Sequence, residues 1–259
     1  MTILLYLLYL LLPIALLLLG SVGESWTNTL LPSGFTWRWF IEIAQDGSFR
    51  RSFVTSLLVA AATCLCCALL ATPLAYALHH QAASSHGRVS AAAGRLIAAL
   101  PVAVPALTLG FGYVLVFSSD ALPWLGSLPL LIAAHTVLTL PYLTQSLLSD
   151  LRHLGLHTLE QSAATLGATP WRQFSTIALP ALRHSLVAGP VMVVALSIGE
   201  FQLSNLIASF QHRTYPIVLL QAFYGATGYA CAATVVLLLL ALLAAGVSSR
   251  PTQSLGAAR

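Results

Sequence analysis

Six long apolar stretches, each close to the length of a bilayer crossing, constrain this chain more than any other feature. They fall at 3–22, 53–78, 96–117, 125–149, 185–207 and 228–247. A helix needs about 20 apolar residues to span the hydrocarbon core, and there every backbone polar group must be satisfied inside the protein. The expected fold class is therefore all-α, a polytopic membrane bundle of six transmembrane helices. Pro73, Pro101, Pro105, Pro141 and Pro190 lie inside these stretches. Helix breakers at such depth are tolerated where neighbouring helices or water take up the freed carbonyls, which predicts a packed bundle rather than isolated anchors. Composition agrees, because only 7% of residues are charged where soluble domains carry about 25%.

The whole chain, 1–259, reads as a single transmembrane domain. Residues 1–52 supply the first span and an external loop, 53–249 a core that includes a loop at 153–183, and 250–259 a tail. Ser21 and Gly23 after the first run resemble a signal-peptide cleavage site. That run is longer than the usual apolar region of about 7–15 residues and no basic segment precedes it, so a retained span is expected.

Arginine placement sets the expected orientation. An inside N-terminus puts Arg88, Arg95, Arg152, Arg172, Arg183, Arg250 and Arg259 in the cytoplasm and Arg38, Arg50, Arg51 and Arg213 outside. Glu24, Glu42, Asp46 and Asp120 balance the outer four, whereas Asp150 and Glu160 leave the inner side positive. Both termini are then cytoplasmic by the positive-inside rule. Trp26, Trp37 and Trp39 fit an outer interfacial belt. The apolar part of 211–227 is too short to span, and Tyr215-Pro216 predicts the start of a re-entrant or interfacial helix.

All eleven basic residues are arginine. A P-loop needs a lysine to reach the β- and γ-phosphates, so this chain cannot build a Walker-type ATPase site, and any ATP-driven step needs another subunit. Scattered arginines without a run argue against nucleic-acid binding. Cys64, Cys66, Cys67 and Cys231 sit in apolar runs without a neighbouring His or carboxylate, and read as small buried hydrophobes rather than a metal or redox site. No Ser-His-Asp order, HExxH or acidic pair suggests catalysis. Neither a cofactor nor a metal is expected.

The loop between the fourth and fifth runs reads as structure. Residues 157–167 predict a short helix capped by Thr158, with Glu160 in the first turn and Gly167 as terminator. Residues 168–180 predict a second helix with Thr169 as cap and Pro170 at its first position. Small Ser162, Ala163 and Ala164 give the first helix low relief, while Trp171, Phe174 and Ile177 give the second an apolar stripe. Such a pair outlines a helix-in-groove interface.

The run Glu160-Gln161-Ser162-Ala163-Ala164-Thr165-Leu166-Gly167, followed by Ile177-Ala178-Leu179-Pro180, resembles the EAA loop of binding-protein-dependent ABC importer permeases. It departs from that pattern at Gln161 and Ser162, where the family places alanines. The resemblance implies that Glu160, Ser162, Ala163, Ala164, Gly167 and Ala168 dock against a cytosolic ATPase present in two copies. It also implies a second permease, identical or homologous, an extracytoplasmic solute-binding protein, and a place in the bacterial inner membrane.

Glu200 is the only carboxylate well inside an apolar run, and intramembrane charge is expensive enough to mark function or helix-bonding structure. Ser197, Glu200 and Ser204 share one face of an uninterrupted helix, at i, i+3 and i+7. They are expected to line the translocation pathway or to bond helices together, with His135 in the fourth run as a further candidate. Gly199-Glu200-Phe201 resembles a tripeptide in the fifth span of permeases of iron(III), polyamine, thiamine and phosphonate importers. A small solute of that kind is the expected cargo. The rival reading is a secondary transporter with Glu200 as its proton-coupling carboxylate.

Overall fold

A computed structural model describes residues 2–25, 32–83 and 87–248. Its regular elements are all helices, and among the described residues the only β-type pairings are two isolated backbone bridges, Gly23 with Phe35 and Gly126 with Ala208. Helix α1 (Thr2–Val22) precedes a short amphipathic α2 (Arg38–Gln45) and the long α3 (Gly47–Ala83). Helices α4 (Gly87–Ala103) and α5 (Ala106–Phe117) follow, then α6 (Leu128–His153). The loop between α6 and the fifth run holds α7 (Leu156–Thr165), α8 (Pro170–Gln173), a π-helical turn (Phe174–Ala178) and α9 (Leu179–Ala181). The rest comprises α10 (Ser185–Gly199), α11 (Gln202–Ile207), α12 (Tyr215–Ala222) and α13 (Thr227–Ser248).

The all-α membrane bundle stands, but its spans are less uniform than the hydropathy pattern implies. Helices α1, α3 and α6 are each long and apolar enough to cross alone. The third run is broken, with α4 and α5 meeting at 95°. Pro105, extended at φ −55° and ψ 137°, stands at that break, where a missing N–H and a fixed φ end one helix and start the next. The fifth run is broken as well, because α10 ends at Gly199 and α11 starts at Gln202. Helix α13 runs for 22 residues, Thr227–Ser248.

Helix α3 organises the bundle, packing on α4, α6, α10 and α12. Its 37 residues extend about 55 Å at 1.5 Å per residue, well beyond the about 30 Å of hydrocarbon. Cys67, Ala71 and Ala75 form a stripe of small residues four apart, and Leu143, Leu147 and Leu151 of α6 join them in one buried cluster. Small side chains let two helices approach closely, which is how contacts form in lipid where no hydrophobic drive joins them. The cysteines are all free, and Cys67 lies 3.3 Å from Thr139 Oγ1. At Gly189 any Cβ would overlap the Leu143 side chain, so α10 also approaches α6 closely. Ser185 Oγ donates to Asp150 Oδ2 and ties the start of α10 to the end of α6.

Within the segment 211–227, residues 214–219 are seated in the bundle, while 223–227 are exposed. Tyr215 is 1% exposed, its N–H donates to Ser56 Oγ (2.8 Å), and its hydroxyl donates to the Ala233 carbonyl (2.9 Å). The tryptophans divide. Trp37 is exposed as an interfacial residue should be, whereas Trp39 is buried with Nε1 donating to the Gly23 carbonyl (2.7 Å). Trp26 lies outside the described residues. Arg51 and Arg213 line one hollow near the start of α3, and Arg152 ends α6 beside the loop. Arg250 and Arg259 lie outside the described residues.

Candidate functional sites

Two buried carboxylates mark two sites at different depths. The first lies in the loop. Gly155 takes a left-handed φ of +58° and turns the chain from α6 into α7, so the helix starts at Leu156, earlier than a Thr158 cap would place it. Glu160 therefore sits in the second turn instead of the first. At the other end Gly167 terminates the helix as its sequence implies. Its φ is +82°, its N–H donates to the Ala164 carbonyl (2.9 Å), and the Ala168 N–H donates to the Ala163 carbonyl (3.0 Å). That pair of bonds is a Schellman motif. Thr169 Oγ1 then accepts from the Arg172 N–H (3.3 Å) with Pro170 in the first turn, as the sequence predicts. The second helix does not run on regularly, because a π-helical turn from Phe174 to Ala178 intervenes before Pro180.

Glu160 is turned inward and only 3% exposed, which takes its side chain off the outer face expected for docking. Tyr76 donates its hydroxyl to Oε1 (2.8 Å), and His80 Nε2 stands 3.1 Å from Oε2 at an angle that forms no hydrogen bond. Both partners belong to the far end of α3. The Tyr76 ring also packs on Phe174 (4.9 Å) and His80 (4.5 Å). Glu160 thus fastens the loop to the longest helix of the bundle.

The rest of α7 is open. Leu159 (53% exposed) and Leu166 (88%) lie seven residues apart with Ser162 and Ala163 between them on the same face. Ala164 and Gly167 are exposed, Ala163 and Ala168 partly so, and Trp171 beyond the corner is also exposed. The two leucines were not singled out in the sequence, although their i, i+7 spacing carried the signal.

The second site is at the break in the fifth run. Ser197, Glu200, Ser204 and His135 do come together, but not along one continuous helix. Glu200 ends α10 in extended conformation, and its carboxylate reaches over the start of α11. Oε1 accepts from the Leu203 N–H (2.7 Å), while Oε2 accepts from the Ser204 N–H (2.9 Å) and the Ser204 hydroxyl (2.5 Å). His135 of α6 bridges the break, with Nδ1 2.8 Å from Ser197 Oγ and Nε2 2.8 Å from Ser204 Oγ. Since Ser204 spends its proton on Glu200, a neutral imidazole has one consistent order: Ser197 donates to Nδ1, and Nε2–H donates to Ser204. His135 and Ser204 are fully buried and Ser197 and Glu200 nearly so, so the four form a sealed network within this chain.

Comparison with known proteins agrees with this architecture. Residues 71–249 match the family described as "Binding-protein-dependent transport system inner membrane component". Over 240 residues the chain is 28% identical to a putative 2-aminoethylphosphonate transport system permease protein of Salmonella paratyphi A, covering 92% of this chain and 88% of that one. It is 25% identical to a putrescine transport system permease protein of Escherichia coli K12, covering 80% and 73%. A bacterial ABC transporter that imports the acidic polysaccharide alginate shares the fold, with a TM-score of 0.74 at 19% identity over 97% of this chain and 93% of that one. With most of its length inside the family match and a bundle shared with a solved importer, this chain belongs to the binding-protein-dependent transport system inner membrane components, the permease subunits of ABC importers.

Proposed function

We propose that this permease lines the solute path of its importer and is driven through α7 by a separate ATPase. The observation that carries this reading is the two-faced loop helix. Its inner face is fastened to α3 through Glu160, while its outer face offers Leu159, Ser162, Ala163 and Leu166 to a partner. A helix held rigidly on one side and exposed on the other can pass a push on its outer face into the bundle as a rigid-body movement. The loop end then lies in the cytoplasm of a bacterial inner-membrane protein with both termini on that side, as the arginine count supports. Two ATPase copies, a second permease, identical or homologous, and an extracytoplasmic binding protein complete the assembly.

The network of Ser197, His135, Ser204 and Glu200 flanks the path and holds the break between α10 and α11 in shape. The relatives' names favour a small charged solute, with an aminoalkylphosphonate or a polyamine foremost.

Leu166→Asp tests the reading directly. A charge in the centre of a desolvated contact costs well over about 2 kcal/mol, so the variant is expected in the membrane at normal levels, without a co-purifying ATPase and without ATP-dependent uptake. Normal uptake by that variant overturns docking at α7. Uptake that follows a proton gradient instead of ATP establishes the secondary-transporter alternative.

A further inference from the structure

A hollow at the opposite end of α3 has no part in the function proposed above. Its volume is about 580 Å³, within the usual range for ligand sites. Phe40, Ile43, Val54 and Val236 contribute apolar walls, and Arg50 and Arg51 line it from the start of α3. Because the other end of α3 meets Glu160, this hollow sits at the membrane face away from the loop.

Counted by side, the acids there balance the arginines, but the contacts do not. Glu42 pairs with Arg38 (3.3 Å). Asp46 caps α3, accepting from the Ser48 N–H (2.6 Å) and, through its other oxygen, from the Tyr229 hydroxyl (3.1 Å). Among the described residues neither Arg50 nor Arg51 has a side-chain hydrogen bond or an ion pair. Two guanidinium groups therefore stand together beside an apolar trough with no counter-ion of their own.

Val54 continues along α3 into an exposed apolar stripe through Leu58, Leu65 and Leu69, at helical spacing on one face. In a bilayer that stripe meets acyl chains. A ligand that lays hydrocarbon in the trough and an anion on the arginines is an amphiphile with an acidic head. We infer that the hollow formed by α2, the start of α3 and α13 binds an anionic phospholipid, with Arg50 and Arg51 holding its phosphate. A second copy of the chain is poorly suited to the place. Of its seven acids, Glu42, Asp46, Asp150, Glu160 and Glu200 are already engaged, which leaves Glu24 and Asp120.

The full chain in detergent micelles, titrated with phosphatidylglycerol or with phosphatidylcholine of the same acyl chains and read by native mass spectrometry, tests this. The wild type is expected to retain phosphatidylglycerol preferentially. Two interfacial arginines together account for roughly thirtyfold in affinity, and the doubly substituted Arg50→Gln, Arg51→Gln protein should lose that preference. Arg38→Gln, which removes an arginine already paired, should keep it. Val54→Trp, which fills the trough, should lower retention of both lipids while the protein still elutes as a monodisperse species. Equal retention of the two lipids by the wild type overturns the inference, as does unchanged preference in the double variant. Displacement of the lipid by soluble glycerol phosphate points to a small-anion site and also overturns it. So does a double variant that alters self-association of the chain while leaving lipid retention alone.

Discussion

Glu160 and Glu200 are both carboxylates buried beside a histidine, yet they solve different problems. Every hydrogen-bond donor to Glu200 lies within four residues of it, and the carboxylate replaces backbone acceptors that the break between α10 and α11 takes away. Glu160 is held by Tyr76, 84 residues earlier in the chain. One carboxylate shapes its own backbone, and the other fastens one element to another. Glu200 is saturated, whereas Glu160 Oε2 has no hydrogen-bond donor and only the angled His80 for company. A saturated network resists change, while a half-satisfied one at the junction of two elements can be remade when they move.

Removing Glu200 should therefore produce the largest loss of stability. Glu200→Ala strands two backbone N–H groups and a hydroxyl in a buried site, each costing about 1–3 kcal/mol before relaxation. A total of about 3–5 kcal/mol is expected, because the three share one site and do not add in full. The measurement is thermal unfolding of the purified chain in detergent, followed by tryptophan fluorescence, with Glu200→Gln falling between the variant and the wild type. A Glu200→Ala protein of normal stability whose transport is nonetheless abolished would reverse the assignment and make Glu200 a group that meets the solute.

The contrast between the glutamates also shows what was legible in the sequence. Features governed by nearby residues could be read directly. Thr169 and Pro170 start a helix and Gly167 ends one, because caps and φ preferences act over a few positions, whereas Pro105 breaks its run although Pro73, Pro101, Pro141 and Pro190 stay inside helices. The grouping of Ser197, Glu200 and Ser204 was legible too, but for the wrong reason. Helical spacing put them on one face, whereas a break at Glu200 folds its carboxylate back onto Ser204. The inward turn of Glu160 was not legible. Nothing within the loop distinguishes an acid that faces a partner from one that faces Tyr76 and His80, since only the path of α3 brings those two side chains to it. For the same reason the bend of 95° after Pro105 exceeds what a proline alone dictates, being set by how α4 and α5 pack on their separate neighbours.

An intermediate effect is expected at Glu160, and it should fall on transport more than on stability. Glu160→Ala leaves the Tyr76 hydroxyl unpaired in a partly buried position, a loss of about 1–2 kcal/mol, while α7 stays packed through Leu156. Tyr76→Phe removes the same bond from the other side and should cost about 1 kcal/mol. In proteoliposomes carrying the whole importer, both variants should still dock the ATPase and hydrolyse ATP, yet move less solute per ATP than the wild type. Equal coupling ratios would show that the loop transmits its movement by another route. Failure of the ATPase to bind Glu160→Ala would return Glu160 to the docking surface.

An effect no larger than that at Glu160 is expected at Gly167, and it separates backbone strain from surface shape. A Cβ there would meet no atom within 4 Å, so Gly167→Ala costs only what its φ of +82° imposes, about 1–2 kcal/mol for a left-handed residue with a side chain. Gly155 supplies a matched control at the other end of α7, since it too has a positive φ and an open Cβ position. The two alanine variants should lower the unfolding temperature similarly and loosen α7 similarly in hydrogen exchange. If α7 engages the ATPase through the face that runs from Leu159 to Leu166, Gly167→Ala should weaken ATPase retention severalfold more than Gly155→Ala. Gly167 adjoins that face, whereas Gly155 lies beyond the first turn of the helix. Equal weakening by the two would mean that the ATPase senses the rigidity of α7 and not the contour of its exposed end.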